Sequence, residues 1–248
     1  MSVLAAVPAK FLLVDDEPRM AQVVGRPLQK LGSLTTANSL QSGIQATRAQ
    51  FWSGLIVDFR LGGSSGIDLL HQTPRLAVTE TPLPDRQGGF GAACIMSAHP
   101  QRGIRQAARE LGADFLPKDG PLRRLLQWFA RRAIASEFLD APASLLVADF
   151  AARFDLPPMQ VRLVALEVAC IKRERWPVLL GVKESTINSH ARKVINAVRP
   201  SIDHNHRLSL AVACRPLIRS VLAGNTPRTR DWFEVLEGDN AQLLTAKR

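Results

Sequence analysis

The stretch FLLVDDEPRM, residues 11–20, sets three acids directly behind an apolar run. Phe11, Leu12, Leu13 and Val14 read as a buried strand, with Asp15, Asp16 and Glu17 together at its end. Like charges at that spacing repel, and a buried carboxylate is costly unless it is paired or bound to a metal. In open parallel α/β sheets the carboxyl ends of the strands form the ligand-binding rim.

Downstream, strands and helices alternate. RMAQVVGRPLQKLG has helical spacing, with Gly32 as its stop and Pro27 as a kink or break. SLTTAN is a second strand and LQSGIQATRAQ a short helix. GLIVDF is continuously apolar, as expected of a strand covered on both faces. GIDLLHQ opens a helix, AACIMSA is a strand, and QRGIRQAARELG is a helix stopped by Gly112. ADFLP and PLRRLLQWFARRAIA complete five β/α alternations. This predicts a flavodoxin-like doubly wound α/β domain. Residues 72–92 interrupt it with a Pro- and Gly-rich loop longer than usual connections.

The remainder reads as all-α. Residues 136–155 form a connection in which SLLVADFAARF has the pattern of an amphipathic helix. PMQVRLVALEVACI, KESTINSHARKVINAV and HRLSLAVACRPLI are further helices, and WPVLLGV is a short segment ending at Gly181. The predicted organisation is residues 1–135, a linker over 136–155, a small helical domain over 156–224 and a stretch over 225–248 that, around the amphipathic WFEVLE, is either a tail or a docking helix.

Composition is that of a soluble globular chain, with 46% apolar and 22% charged residues among 248. No run is long enough for a membrane span, and no secretory signal pattern opens the chain, so a cytoplasmic location without membrane partners is expected. Cys94, Cys170 and Cys214 lie far apart in apolar contexts, which predicts buried, reduced thiols. The net charge of +10 is uneven. Residues 1–155 hold 17 basic and 14 acidic side chains, residues 156–225 hold 11 and 4, and residues 226–248 hold 4 of each. A basic excess concentrated in the helical domain points to an anionic partner, most often nucleic acid, or serves solubility alone.

The strand ends bring chemistry to one rim. Asp15 and Asp16 end the first strand, Asp58 ends GLIVD, Ser97 ends AACIMS and Lys118 follows ADFLP. Clustered carboxylates suit Mg²⁺, and a hydroxyl with an ammonium suits phosphoryl oxygens. Through VDDE, LIVDFRLGGSSG, IMSAH and DFLPKD, residues 9–135 resemble the receiver domain of two-component response regulators. The resemblance implies that Asp58 is the phosphoacceptor for a histidine kinase. It also implies that Asp15, Asp16, Asp58 and the backbone carbonyl of Arg60 hold Mg²⁺, and that Ser97 and Lys118 meet the phosphoryl group. Phe115 takes the place of a switch aromatic, or is a plain core residue. The family usually has Pro where this chain has Gly62. A phosphatase of the acid-rich α/β type would need an acid two residues past the nucleophile, where Arg60 stands.

LGVKESTINSHARKVINAV has the form of a helix–turn–helix, and residues of about 156–223 resemble the DNA-binding domain of the LuxR/NarL type. By that resemblance Asn188, Ser189 and Arg192 face bases, while Thr186 and Lys193 touch the backbone of double-stranded DNA. His190 is read as a packing residue. The last helix, HNHRLSLAVACR, resembles one that commonly dimerises. Trp176-Pro177 departs from the family's usual scaffold helix, so that helix starts late or is kinked and KRERW becomes loop. The expectation is a response regulator whose phosphorylation controls transcription, with a homodimer on phosphorylation and no enzymatic activity beyond its own phosphotransfer and dephosphorylation. The alternative is a receiver-controlled protein-interaction module whose helix–turn–helix does not read DNA.

Overall fold

The computed structural model describes residues 7–75, 81–99, 101–201, 209–224 and 228–237. Five parallel strands, β1 (Ala9–Val14), β2 (Gly32–Ala37), β3 (Trp52–Asp58), β6 (Phe90–Ser97) and β7 (Asp114–Pro117), form a sheet in the order β2-β1-β3-β6-β7. Two-residue strands β4 (Arg60–Leu61) and β5 (Ser64–Ser65) make a small antiparallel ribbon beside it. Helices α1 (Pro18–Leu28), α2 (Leu40–Ala49), α3 (Gly66–Gln72) and α4 (Arg102–Glu110) connect the strands, and α5 (Leu122–Ala135) follows the last one. The chain reverses direction across the sheet between β1 and β3, the switch point of a flavodoxin-like doubly wound fold.

Burial follows the sequence pattern. β3 and β6 are covered on both faces, and their side chains are buried almost throughout. β2 is an edge strand, and its polar GSLTTA is half-exposed. Two apolar clusters lie on opposite faces. One holds Leu12, Val57, Ile95 and Phe115 under α2, α3 and α4. The other runs from Phe11 and Leu13 through α1 and α5 into the C-terminal helices.

Helix α1 ends at Leu28, one residue after Pro27, so the proline lies in its last turn. Gly32 is therefore the first residue of β2 rather than a helix stop. Within residues 72–92, the described part holds a 3₁₀ turn at Leu83–Asp85.

The C-terminal half is helical: α6 (Ala141–Arg153), α7 (Pro158–Val168), α8 (Trp176–Leu180), α9 (Glu184–Val198), α10 (Leu210–Leu222) and α11 (Trp232–Glu237). Asp140 caps α6, its carboxylate accepting from the Ala143 N–H at 3.0 Å. Helix α5 is shared between the halves, and its last turn, Arg131–Ala135, is buried on every side. At this seam Glu137 accepts from Arg162 at 2.6 and 3.0 Å and from the Ser53 hydroxyl at 2.6 Å. Arg86 donates to the Glu137 carbonyl at 2.6 Å, which ties the 72–92 loop into the same network.

The expected start of the scaffold helix is resolved in favour of a late start. Arg173–Arg175 form a 3₁₀ turn and α8 opens at Trp176, which puts Pro177 in the first turn where its missing N–H costs nothing. Gly181 closes α8 in the left-handed region at φ 64°, as a helix C-cap requires. Cys94 and Cys214 are buried, but Cys170 is exposed. The last turn of α7 ends before it, and at φ 53° it turns out of the helix. Residues 202–208, at the front of the expected last helix, lie outside the described residues, as do 225–227 and 238–248 of the tail. Among the described residues no helix is long and apolar enough to cross a membrane.

Candidate functional site

Strand register assembles the acidic site. Val14 pairs with Val57, so the next residues, Asp15 and Asp58, emerge side by side. Asp58 pairs with Met96 and Ser97 with Pro117, which brings Ser97 and Lys118 to the same rim. Carboxylate oxygens of Asp15, Asp16 and Asp58 lie within 4.8 Å of one another, a donor set of hard oxygens that fits a divalent cation. Asp15 is buried, Asp58 half-buried and Asp16 exposed.

The ammonium of Lys118 bridges two of these acids, 3.1 Å from Asp15 Oδ2 and 3.1 Å from Asp58 Oδ1. The other Asp15 oxygen accepts from the Glu17 N–H at 2.9 Å. Asp16 accepts from the Gly62 N–H at 3.0 Å. Gly62 has φ 52°, so a proline there would lose both the backbone angle and the donor. This chain therefore fixes Asp16 through the backbone N–H of Gly62, a donor that a proline would lack. Glu17 is exposed, caps no N–H of α1 with its side chain, and stands outside the cluster.

Burial raises the Asp58 carboxyl above its ordinary range; Lys118 opposes this, Asp15 adds to it, and the Arg60 N–H opposes it. Burial works against the Lys118 ammonium, but Asp58 and Asp15 more than offset it and hold its pKa above the usual value. The site is thus a carboxylate poised by a cation.

Ser97 is buried at the rim, and its hydroxyl is engaged with His99, donating to the carbonyl and accepting from the N–H, each at 3.1 Å. Phe115 is 1% exposed and packs in the cluster with Ile104, Ala108 and Ala113, three residues before Lys118.

On α9, Ile187, Ala191, Val194 and Val198 are buried, and Ser189, Arg192 and Lys193 are exposed. Thr186 and Asn188 are half-buried. Arg173 donates to Asn188 Oδ1 at 2.7 Å, which engages the oxygen end of the amide. Burial, then Lys193, lowers the His190 pKa.

Sequence reading missed a second set of charges. Asp114 and Arg132 are fully buried and ion-paired with each other. An acid inside the short strand ADFLP and an arginine inside the apolar stretch of α5 were the available signals, since such groups are buried only when paired.

Comparison with known proteins adds the following. No family model matches the chain. Over 66 residues it is 39% identical to the probable transcriptional regulatory protein TcrX of Mycobacterium tuberculosis; the match covers 26% of this chain and 28% of that protein. Similar solved structures include a CheY-like response regulator receiver domain protein from Methanospirillum hungatei, at 18% identity over 53% of this chain and 98% of that one, TM-score 0.43. The Thermotoga maritima OmpR/PhoB homologue DrrB matches at 20% identity over 53% and 55%, TM-score 0.40. A response regulator from Burkholderia pseudomallei matches at 18% identity over 71% and 98%, TM-score 0.38.

Proposed function

We propose that the chain is a response regulator that accepts a phosphoryl group on Asp58 from a histidine kinase and thereby controls binding to double-stranded DNA and transcription. The observation that carries this reading is the Lys118 ammonium bridging Asp15 and Asp58 at the switch point of the sheet. A carboxylate held beside an ammonium and two further carboxylates is equipped to receive an anionic group only when a divalent cation offsets the charge. Asp15, Asp16 and Asp58, with the Arg60 carbonyl, would hold Mg²⁺, which neutralises charge on the incoming phosphoryl group.

An Asp58 carboxylate oxygen attacks phosphorus, the P–N bond to the donor imidazole breaks, and the imidazole nitrogen keeps the electron pair and takes up a proton. Lys118 stays within reach of the new acyl phosphate. Ser97 leaves His99 and donates its hydroxyl to a phosphoryl oxygen. No substrate other than this phosphoryl group is turned over. The phosphorylated chain pairs with a second copy, setting two α9 helices on half-sites about one helical turn apart. Ser189, Arg192 and Asn188 read bases, and Thr186 and Lys193 hold the backbone.

Incubation with a small phosphodonor and Mg²⁺ tests the first step. The parent chain gains one phosphoryl group and Asp58→Asn gains none. The short α8 favours a second reading, in which the helix–turn–helix binds protein. Loss of DNA affinity with rising salt supports the DNA reading, and no binding at low salt supports the other.

A further inference from the structure

Residues 228–237 lie along the outer edge of β7, the last strand of the sheet, whose edge needs cover. The Arg230 carbonyl accepts from the Phe115 N–H at 3.0 Å, and Asp231 forms a parallel bridge to Phe115. The buried pair beneath grips the segment. Asp114 Oδ1 accepts from the Arg230 N–H at 2.7 Å, and Arg132 donates to the Arg228 carbonyl at 2.8 Å. Trp232 is buried edge-on against Trp128 of α5, with ring centroids 4.9 Å apart. On α4, Arg105 pairs with Asp231 at 3.3 Å and Arg109 with Glu234 at 3.1 Å. The face formed by α4, β7 and α5 is therefore a built groove for a segment that enters extended at Arg230 and Asp231 and turns into a short helix, carrying Trp232 and two acids.

The same four-residue strand reaches the acidic site. Asp114 and Phe115 hold the segment at one end of β7, and Lys118 follows Pro117 at the other. Lys118 must re-pair when Asp58 gains a phosphoryl group. Besides these contacts the segment holds through Arg230, which pairs with Asp149 at 2.8 Å and lies over the Trp128 and Trp232 rings. Its helix of six residues is too short to persist undocked. The Arg109–Glu234 pair is half-exposed and worth little. The Trp232 indole N–H is buried with no hydrogen-bond partner among the described residues.

We propose that residues 228–237 are a releasable strap on the α4–β7–α5 face, docked when Asp58 is free and displaced when Asp58 is phosphorylated. This rests on the reading of Asp58 as phosphoacceptor. Release would bare the β7 edge, Trp128 and the arginines of α4 as an interaction surface. Linkage makes the coupling reciprocal: if phosphorylation weakens the strap, a weaker strap raises the affinity of Asp58 for the phosphoryl group.

The test is hydrogen exchange by mass spectrometry on the full chain, with and without a small phosphodonor and Mg²⁺, with phosphorylation measured on the intact mass. Exchange over residues 228–237 and at Phe115 should rise by on the order of tenfold on phosphorylation, within the usual range for coupled sites. Asp58→Asn should show no rise. Glu234→Lys, an exposed change facing Arg109, should raise strap exchange without phosphodonor and lower the phosphodonor concentration needed for half-phosphorylation. Phosphorylation with unchanged strap exchange overturns the strap alone. No mass gain in the parent chain overturns the phosphoacceptor reading and the strap with it.

Discussion

Lys118 Nζ lies 3.1 Å from Asp58 Oδ1 and equally close to Asp15 Oδ2, so one cation offsets two of the three acids at the rim. Removing it leaves partly buried carboxylates uncompensated. Lys118→Met is expected to lower stability by about 1–3 kcal/mol in chelator. Added Mg²⁺ should recover most of that loss, because the divalent cation takes over the charge offset. Thermal melts of parent and variant with and without Mg²⁺ check this; an equal loss in both conditions would contradict it.

Asp58 has a carboxyl raised above 3.8 in the folded chain, chiefly by burial. A raised folded pKa favours the protonated form. Its stabilising contribution is therefore present below the unfolded value and is lost as pH rises through the folded one. At pH 7, without metal, ionised Asp58 costs stability, so Asp58→Asn should melt higher than the parent. The gap should close as pH falls through the raised Asp58 pKa toward 3.8. Melts in chelator across that range measure it.

Arg132 and Asp114 are both fully buried, and the pair also holds the backbone of residues 228–230. Breaking one partner leaves a buried charge alone. Arg132→Met is expected to cost about 3–5 kcal/mol in denaturant unfolding. Adding Asp114→Asn should restore part of it, since the stranded charge is then gone. A double variant less stable than the single one would contradict this account.

On α9, Arg192 and Lys193 are exposed but assigned different tasks. Arg192→Ala should relax sequence preference at one base pair, at a cost of about 1–3 kcal/mol for the preferred site. Lys193→Ala should weaken binding to all sequences alike and reduce the salt slope by about 1. Binding titrations at several salt concentrations separate the two.

Most of the α/β half was legible because its signals are local. Apolar runs such as GLIVDF mark buried strands, and a strand's last residue is fixed once the run is. Hence Asp15, Asp16, Asp58 and Lys118 could be assigned to one rim before any register was known. The role of Gly62 was not legible. Its N–H bond to Asp16 is a contact across 46 residues, invisible to any window of sequence. The strap escaped for the same reason, since Arg230 meets Asp114 across 116 residues. WFEVLE showed an amphipathic pattern but not the strand it docks beside. Cys170 was misplaced because apolar neighbours in sequence do not bury a residue that ends a helix at positive φ.

The most direct test of the account is site-mapped phosphorylation of the full chain by a small phosphodonor with Mg²⁺. The account predicts one phosphoryl group, on Asp58, lost on chelation of Mg²⁺ before the donor is added and absent in Asp58→Asn. Equal labelling of Asp58→Asn, or none in the parent chain, would contradict it.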